Sequence, residues 1–298
     1  EQKLMSVKEG NIPINSPAES EIQKLINHYE NGQYEDAETL AISMTEQFPK
    51  HHFSWKVLGV ILQQTGRISE SLIANQKFIK LNPKDAEVLN NMGAALYELG
   101  RFEDAEVNYK QAIALKPDFA DAYNNLGITL KELGKLEEAE VILRQVLTFK
   151  SDFAEAYNNL GIMLEELGRF EDAEVNYKQA IALKPDFADA YNNLGITLKE
   201  LGKLEEAEVI LRQVLTFKSD FAEAYSNLGM TLKELGKLEE AEVNLRQAIN
   251  LKSDLGEAHN ILGKLLLKIG QHREGLNEEM KGVGFISFNL NKGLSILC

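Results

Sequence analysis

Apolar residues follow one another along most of the chain in pairs of helical stripes, and a glycine divides each pair. The segment from 120 to 153 shows the arrangement clearly. Its stripes are Tyr123, Leu126, Gly127, Leu130 and Leu133, then Leu136, Ala139, Leu143, Val146 and Leu147. Spacings of three and four residues place such side chains on one face of an α-helix. Gly134 ends the first stripe, so the segment predicts two amphipathic helices joined by a tight turn.

The paired stripes belong to an internal repeat. Residues 101–157 recur without a single change as residues 169–225, and a weaker echo returns every 34 residues. A period of this length is typical of solenoids, in which each unit covers the apolar face of the one before. The predicted fold class is all-α, with stacked antiparallel helix hairpins. The array is predicted over 18–289 as about eight 34-residue units, the last one degenerate: 18–51, 52–85, 86–119, 120–153, 154–187, 188–221, 222–255 and 256–289.

The two ends of the chain depart from this period. Residues 1–17 contain Gly10, Pro13 and Pro17 and no apolar period, which predicts a flexible leader. Residues 285–298 form a short apolar tail that reads as two strands around a turn. An apolar ending at Cys298 favours a chain cut from something longer, with this tail as the start of a further domain. Docking of the tail on another surface is the alternative.

Small residues recur at two equivalent positions and predict how the paired helices pack. Glycine inside a helix costs about 1 kcal/mol relative to alanine, so its recurrence predicts that the second helix passes too close for a side chain. The glycines are Gly93, Gly127, Gly161, Gly195 and Gly229. The alanines expected to form the matching surface are Ala105, Ala139, Ala173, Ala207 and Ala241.

The starts of several first helices show a recurrent capping pattern. An aspartate with a glutamate three residues later has the spacing of a helix N-terminal capping pair. Such pairs are predicted at Asp152/Glu155, Asp220/Glu223 and Asp254/Glu257.

In the last unit, His259 and His272 stand at packing positions where aromatic residues are usual, and we expect both to fill part of the core.

Composition and charge exclude several classes of partner. The formal net charge is −14 and the isoelectric point is near 5.0, so the surface repels phosphate backbones and anionic membranes. We therefore expect no nucleic acid and no membrane as partners. The single cysteine, Cys298, excludes an internal disulfide framework and favours a reducing, cytoplasmic compartment.

Candidate chemical groups do not converge on an active site. His51 and His52 are adjacent, but no third His or Cys stands at ligand spacing, so no metal site is predicted. Paired carboxylates such as Glu137-Glu138 recur from copy to copy, whereas an acid–base pair needs one distinctive environment that separates two pKa values. No glycine-rich phosphate loop is present. We expect a protein that is not an enzyme and has no cofactor.

The repeating positions resemble the tetratricopeptide repeat. In unit 86–119 the residues that carry the resemblance are Leu89, Met92, Gly93, Leu96, Gly100, Phe102, Ala105, Tyr109, Ala112 and Pro117. The resemblance covers about 18–289 and is strongest over 86–255, whereas unit 18–51 lacks the Leu-Gly pair. It implies a right-handed superhelix whose first helices line a concave groove, and it implies a protein–protein interaction scaffold.

Five units carry an asparagine just before the Leu-Gly or Met-Gly pair, and we call this row the asparagine ladder: Asn91, Asn125, Asn159, Asn193 and Asn227. The row resembles the one along the concave face of the tetratricopeptide array of O-GlcNAc transferases. A carboxamide is both donor and acceptor, so it can pair with a peptide unit irrespective of the side chain. The alternative is that these amides only cap neighbouring helices or hold water between units. The ladder stops at Val57 on one side and Ile261 on the other.

Other groove positions narrow the class of partner. Glu155 and Asp189 belong to an acidic row on the same helices, and Ile128, Ile162 and Ile196 form an apolar stripe beside it. These residues, with the ladder, are the predicted peptide-binding site. We expect the partner to be a protein or peptide segment in an extended conformation, with basic and apolar residues.

Two alternatives to a simple scaffold stay open at this point. In the first alternative, the array is the substrate-recruiting arm of a larger enzyme, a transferase or an oxygenase, cut at Cys298. This alternative rests on family analogy alone. Or it is an architectural array that self-assembles, because the end faces of near-identical units can stack between molecules. The second alternative predicts a homo-oligomer formed through the end units.

Overall fold

A computed structural model of the chain describes residues 16–282 and, for their backbone, residues 286–289 and 293–296. The leader expected at 1–17 lies outside the described residues apart from Ser16 and Pro17. The chain divides into two compact units, Glu1–Ile142 and Leu143–Cys298. The right-handed superhelix implied by the resemblance stays a prediction, since it concerns both units together.

Paired helices fill nearly all of the described chain, which confirms the all-α fold of stacked hairpins. The first unit contains α1 (Glu19–Glu30), α2 (Tyr34–Gln47), α3 (His52–Gln64), α4 (Ile68–Leu81), α5 (Ala86–Glu98), α6 (Phe102–Leu115) and α7 (Ala120–Glu132). Helix α8 (Leu136–Phe149) contains the division. The second unit continues with α9 (Ala154–Glu166), α10 (Phe170–Leu183), α11 (Ala188–Glu200), α12 (Leu204–Phe217), α13 (Ala222–Glu234), α14 (Leu238–Leu251), α15 (Gly256–Lys268) and α16 (His272–Gly282).

A short β-hairpin follows the last helix. Strands β1 (Ile286–Asn289) and β2 (Gly293–Ile296) pair antiparallel, with Ile286 opposite Ile296 and Asn289 opposite Gly293. The two strands predicted in the apolar tail are therefore present. The role of the tail as the start of a further domain stays a prediction.

A glycine in a left-handed conformation ends the first helix of each hairpin. Gly202, after α11, has φ +74°, and the N–H of the next residue, Lys203, donates to the carbonyl of Leu198 at 2.8 Å. This is the Schellman type of helix ending, in which a residue with a Cβ is disfavoured. The chain reverses within the three residues 201–203, so α12 runs back along α11.

A second glycine lets the two helices of a hairpin approach each other. A Cβ built on Gly195 lies 2.6 Å from Leu211 Cγ, and one built on Gly161 lies 2.6 Å from Tyr177 Cε1. The predicted close crossing is confirmed, but the glycine faces a large side chain rather than the alanine four residues before it. That alanine, Ala207 in the hairpin of Gly195, is itself fully buried.

Side chains from successive hairpins form continuous apolar clusters. In the second unit, Leu211, Leu228, Leu245 and Leu262 come from four consecutive helices, are at most 1% exposed and lie in one cluster. In the first unit, a cluster spans α1 to α4: Leu25, Ala37, Ala41, Met44, Leu58, Ile61, Leu62 and Ala74. Neither face of a hairpin is covered by that hairpin alone, so stacking supplies most of the apolar burial.

The predicted capping pairs of α9, α13 and α15 are not formed, and that expectation was wrong. These helices begin one residue later than predicted, after Phe153, Phe221 and Leu255, and no side chain caps them. The ammonium groups of Lys150 and Lys218 instead lie 4.1 and 4.2 Å from the centres of the rings of Phe153 and Phe221. The apolar residue at the helix start packs inward, and this moves the aspartate outside the helix.

The last hairpin contains a buried polar pair. His259 on α15 is 4% exposed, and its Nδ1 lies 2.6 Å from Glu278 Oε2 on α16. Its Nε2 lies 3.0 Å from the carbonyl oxygen of Ser253, and Lys281 donates to Glu278 Oε1 at 2.7 Å. His259 therefore fills the core as predicted. His272 does not: it is exposed at the first turn of α16.

The glycine contact predicts a difference between two substitutions in the same hairpin. Gly195→Leu should lower the free energy of unfolding by about 1–3 kcal/mol, because the added atoms overlap Leu211 and the helices must separate. Glu205→Ala, at an exposed position of α12, should change it by less than about 0.5 kcal/mol. Urea unfolding followed by circular dichroism measures both. Equal stability of the two variants would contradict the steric role of the glycine.

The buried pair predicts a pH-dependent loss of stability. Burial raises the pKa of the Glu278 carboxyl, but hydrogen bonds from Lys281 and His259 outweigh it and leave the pKa below its ordinary value. A folded-state pKa below the unfolded one gives stability that is present above the unfolded pKa and lost as pH falls through the folded pKa. Glu278→Gln should therefore cost about 1–3 kcal/mol at pH 7 and much less below about pH 4.

The measurement is urea unfolding of both chains across this pH range. The exposed Glu239→Gln on α14 is the matched control and should follow the wild type throughout. A Glu278→Gln deficit that stays constant from about pH 7 to about pH 3.5 would show that the carboxylate charge is not what stabilises the last hairpin.

Candidate functional site

The asparagine ladder places one carboxamide on the first helix of each of five hairpins. Its members lie near the middle of α5, α7, α9, α11 and α13, and each is half-buried. They fall in both units: Asn91 and Asn125 in the first, and Asn159, Asn193 and Asn227 in the second. The ladder is thus a repeated surface feature within each unit.

A second row of asparagines holds ladder amides in place. The residue just before the ladder position is also an asparagine in four hairpins: Asn90, Asn124, Asn158 and Asn192. Asn125 Nδ2 donates to Asn90 Oδ1 at 3.1 Å in the first unit. In the second unit, Asn193 Nδ2 donates to Asn158 Oδ1 at 3.2 Å, and Asn227 Nδ2 donates to Asn192 Oδ1 at 2.8 Å. Each bond joins one hairpin to the hairpin before it.

These bonds leave part of the carboxamides of Asn125, Asn193 and Asn227 for another partner. A carboxamide has two donor hydrogens and a carbonyl acceptor, and the bond to the preceding hairpin uses one hydrogen. The backbone behind the ladder is fixed as well, since Thr231 Oγ1 donates to the carbonyl of Asn227 at 2.8 Å. The amides are therefore pre-oriented and can both donate to and accept from a peptide unit.

The predicted apolar and acidic residues lie beside the ladder in different states. Ile128, Ile162 and Ile196 are half-buried on the first helices, and Asp189 is exposed. Glu155 is half-buried and accepts from Lys184 Nζ at 3.0 Å. Burial raises the pKa of the Glu155 carboxyl, but bonds from Lys184 and a backbone N–H outweigh it and lower the pKa overall. Glu155 is thus an ion-paired carboxylate, and its charge is partly compensated.

A cavity of about 390 Å³ brings two predicted site residues of the second unit together, Ile196 and Asn227. It opens on α11, α13 and α15, and Ile196, Asn227 and Met230 line it together with Asn192. Ser226, which precedes Asn227 where other hairpins have an asparagine, lines it as well. The other predicted residues of the second unit, Asn159, Ile162, Glu155, Asn193 and Asp189, are not among its lining residues.

The first two hairpins present an apolar cavity instead of asparagines. It has a volume of about 340 Å³ and is lined by Ile26, Tyr29, Phe53, Lys56, Val57 and Val60. Val57 is the residue at which the ladder stops, so on α3 an apolar cavity wall takes the place of the ladder asparagine. A surface of this kind accepts an apolar side chain rather than a peptide group.

Sequence reasoning missed the second asparagine row and one half-buried carboxylate. The row is visible in the recurrent Asn-Asn dipeptide, but its function depends on a partner in the preceding hairpin, which helical spacing does not show. The carboxylate is Glu165, at the position that Lys131, Lys199 and Lys233 occupy in other hairpins. A comparison of the copies position by position identifies it as the exception.

Glu165 accepts hydrogen bonds from side chains of two neighbouring helices, α10 and α11. Tyr177 Oη donates to its Oε2 at 2.6 Å, and Thr197 Oγ1 lies 2.6 Å from its Oε1. Thr197 Oγ1 also lies 3.0 Å from the carbonyl of Asn193, and a hydroxyl has one hydrogen to donate. The contact to Glu165 is the shorter one, so Thr197 shares its hydrogen between the carboxylate and the Asn193 carbonyl. Burial raises the pKa of the Glu165 carboxyl. The hydrogen bonds from Thr197 and Tyr177 lower this pKa by less, and the nearby charges of Glu200 and Glu166 raise it further.

Family models decide what this architecture is. Models described as "TPR repeat" or "Tetratricopeptide repeat" match residues 93–134 and 163–202, 119–150 and 187–218, 222–255, and 74–107. The chain is a tetratricopeptide-repeat protein. The matched segments begin within α4 and end after α14, and they include every ladder asparagine except Asn159. The resemblance to the array of O-GlcNAc transferases is not tested by these matches and stays a prediction.

Solved structures have the same fold as this tetratricopeptide-repeat protein. A tetratricopeptide repeat protein from Parabacteroides merdae ATCC 43184 is similar with a TM-score of 0.66 and 20% identity, over 84% of this chain and 98% of that chain. The APC/C hetero-tetramer Cut9–Hcn1 is similar with a TM-score of 0.68 and 18% identity over 81% of this chain, which spans 48% of that chain. At these identities the likeness shows the fold alone.

A third solved structure is described with a binding property. YrrB, "a TPR protein with an unusual peptide-binding site", has a TM-score of 0.50 and 25% identity, over 62% of this chain and 95% of that chain. No curated protein matches this tetratricopeptide-repeat chain in the sequence comparison.

The described residues contain neither a metal-binding cluster nor a membrane-spanning helix. No three side chains among their His, Cys, Asp and Glu residues are grouped so that they could hold a metal ion. None of the helices described is both long and apolar enough to cross a membrane.

The environment of Glu165 predicts a pH effect opposite to that of Glu278. A carboxyl with a raised folded-state pKa contributes most below its unfolded pKa, and the contribution is lost as pH rises through the folded pKa. Glu165→Gln keeps a neutral side chain, so it should match the wild type near pH 4 and exceed it by about 1 kcal/mol at pH 7. Urea unfolding at both pH values measures this, with the exposed Glu205→Gln on α12 as control. A variant less stable than the wild type at pH 7 would contradict a raised pKa for Glu165.

Proposed function

We propose that this chain is a non-enzymatic scaffold that binds an extended segment of a partner protein through the asparagine ladder on its first helices. The tetratricopeptide repeats support a protein-interaction scaffold in general. The observation that carries the finer proposal is the set of bonds by which the second asparagine row orients ladder amides. A side chain held in this way loses little further freedom when a ligand binds, which lowers the cost of association.

The ladder is chemically suited to main-chain recognition. Each pre-oriented carboxamide can donate to a peptide carbonyl and accept from a peptide N–H without regard to the ligand's side chains. YrrB is described as a tetratricopeptide-repeat protein with a peptide-binding site, which supports the same class of ligand here. Apolar contacts from Ile128, Ile162 and Ile196 would add affinity along the segment.

Magnitudes show that the ladder cannot act alone. A net hydrogen bond contributes about 0.5–1.5 kcal/mol, so five asparagines supply about 5 kcal/mol before the costs of ordering the ligand. That corresponds to about millimolar affinity at best. Side-chain contacts must supply the rest, and the net charge of −14 favours a partner segment with basic residues among its apolar ones.

Two alternatives from the sequence stay predictions. The sequence of the full-length gene downstream of Cys298 decides whether the chain is the recruiting arm of a larger enzyme. Self-assembly through the end units is decided by light scattering: a monomer mass that stays constant up to high concentration removes it.

The proposed function predicts that two ladder asparagines contribute to peptide binding and that two asparagines on second helices do not. Asn193→Ala/Asn227→Ala should reduce the retention of a pooled library of extended peptides by about tenfold, because two pre-oriented amides are lost. Asn176→Ala/Asn244→Ala is the matched control. Those asparagines lie on α10 and α14, where they donate to the carbonyls of Asp172 and Glu240, each at 2.8 Å.

The library is passed over immobilised full-length chain, and the retained peptides are quantified by mass spectrometry. Circular dichroism checks that all three chains are folded. Equal retention by the ladder variant and the wild type would refute the ladder as the binding element. An equal loss of peptide retention in the Asn176→Ala/Asn244→Ala control would show that the substitutions act through stability.

A further inference from the structure

The asparagine network ends in the last hairpins with one partner missing. In the preceding hairpins a ladder asparagine donates to the residue that lies 35 positions earlier, as Asn227 does to Asn192. One hairpin further on, Ile261 occupies the ladder position and Ser226 occupies the acceptor position. An isoleucine has no side-chain N–H to offer, so the network stops at Ser226.

Ser226 is left with an unsatisfied hydroxyl. The residue is 2% exposed, and its Oγ has no hydrogen-bond partner among the described residues. Buried polar groups are nearly always paired, so each exception indicates either a cost or a function. Here the residue lines the cavity of about 390 Å³ on α11, α13 and α15. A ligand in that cavity can reach the group that Ile261 leaves unpaired.

The charged lining of the cavity selects the type of ligand group. Three carboxylates, Glu200, Glu223 and Glu257, line it, against the single ammonium of Lys199. Lys199 donates to Glu200 at 2.7 Å, and Lys252 donates to Glu223 at 2.9 Å. Glu257 is exposed and forms no ion pair with any residue the structure describes. The cavity therefore favours a cation, and Glu257 is the carboxylate available to it.

The apolar lining sets the shape of that cation. Ile196, Met230 and Leu255 supply a half-buried apolar wall in the same cavity. A side chain with an aliphatic stem and a charged end buries the stem on such a wall and keeps the charge beside carboxylates. A guanidinium carries five N–H donors in a planar fork, so it can pair with a hydroxyl and a carboxylate at once, whereas an ammonium is a compact point charge.

We propose that this cavity binds an arginine side chain of the partner segment, with the guanidinium donating to Ser226 Oγ and to the Glu257 carboxylate. The inference rests on the proposed function, which brings an extended segment to the ladder. It adds a side-chain-specific subsite at the end of a surface that otherwise contacts the main chain. Ser226 and Glu257 determine specificity, and the ladder determines the path of the segment.

The test uses the full chain and peptides of known composition. A positional library of extended decapeptides, with one position at a time fixed as arginine, lysine, citrulline or norleucine, is titrated by fluorescence anisotropy. Arginine should be selected at one position, and citrulline there should bind about tenfold more weakly, because it keeps the shape and loses the charge. Ser226→Ala should weaken the arginine peptide by about threefold to tenfold, and Glu257→Gln by about twofold to fivefold.

Controls separate the subsite from stability and from the ladder. Ser226→Ala should keep or raise the thermal midpoint, because the hydroxyl is unpaired in the free protein. Glu239→Gln, on the second helix α14, should leave binding unchanged. Arginine selection that persists in Ser226→Ala and Glu257→Gln, or equal binding of arginine and citrulline, overturns the subsite while ladder-dependent binding stands. Failure of every peptide to bind overturns the proposed function and the subsite together.

Discussion

The contact between a helical glycine and a large side chain on the paired helix is the constraint on which the rest of the structure depends. At Gly161 the space of a missing side chain is taken by the ring of Tyr177, and at Gly195 by Leu211. The two helices can then cross at close range, and the large residue is completely buried. A hairpin with this geometry has two apolar faces, and the next hairpin must cover one of them. Stacking is therefore a consequence of the crossing.

Stacking also explains why the polar groups on the first helices work in pairs. Once two hairpins lie side by side, their asparagine rows face each other, and Asn193 reaches Asn158. The same bonds that join neighbouring hairpins hold amides at the surface in fixed orientations. Stability and recognition thus use the same side chains. A surface of this kind is assembled by the array and does not exist in a single repeat.

Much of the fold could be predicted from the sequence, because helical periodicity, turn glycines and the 34-residue period each depend on residues close together in the chain. Helix starts were predicted less well: whether Asp152 or Phe153 precedes α9 depends on which side chain packs inward. The ladder could be recognised from an asparagine that recurs at one position of the repeat, but its bonds to the second row form only when the hairpins are stacked. Ser226 and Glu165 differ from their counterparts by one substitution each, and only their surroundings show that the first is unpaired and the second is hydrogen-bonded by two neighbouring helices.

The exact copy of residues 101–157 at 169–225 has a consequence for the length of the array. If the 68 residues from Arg101 to Gly168 are removed, Gly100 is joined to Arg169, and the new sequence reads as the old one did for the following 57 residues. Every local junction in the shortened chain already occurs in the present one. The protein can therefore lose two repeats, or gain two by duplication, through recombination between the copies and without any new interface. Such a change would remove or double Glu165, which lies in the stretch between the two copies.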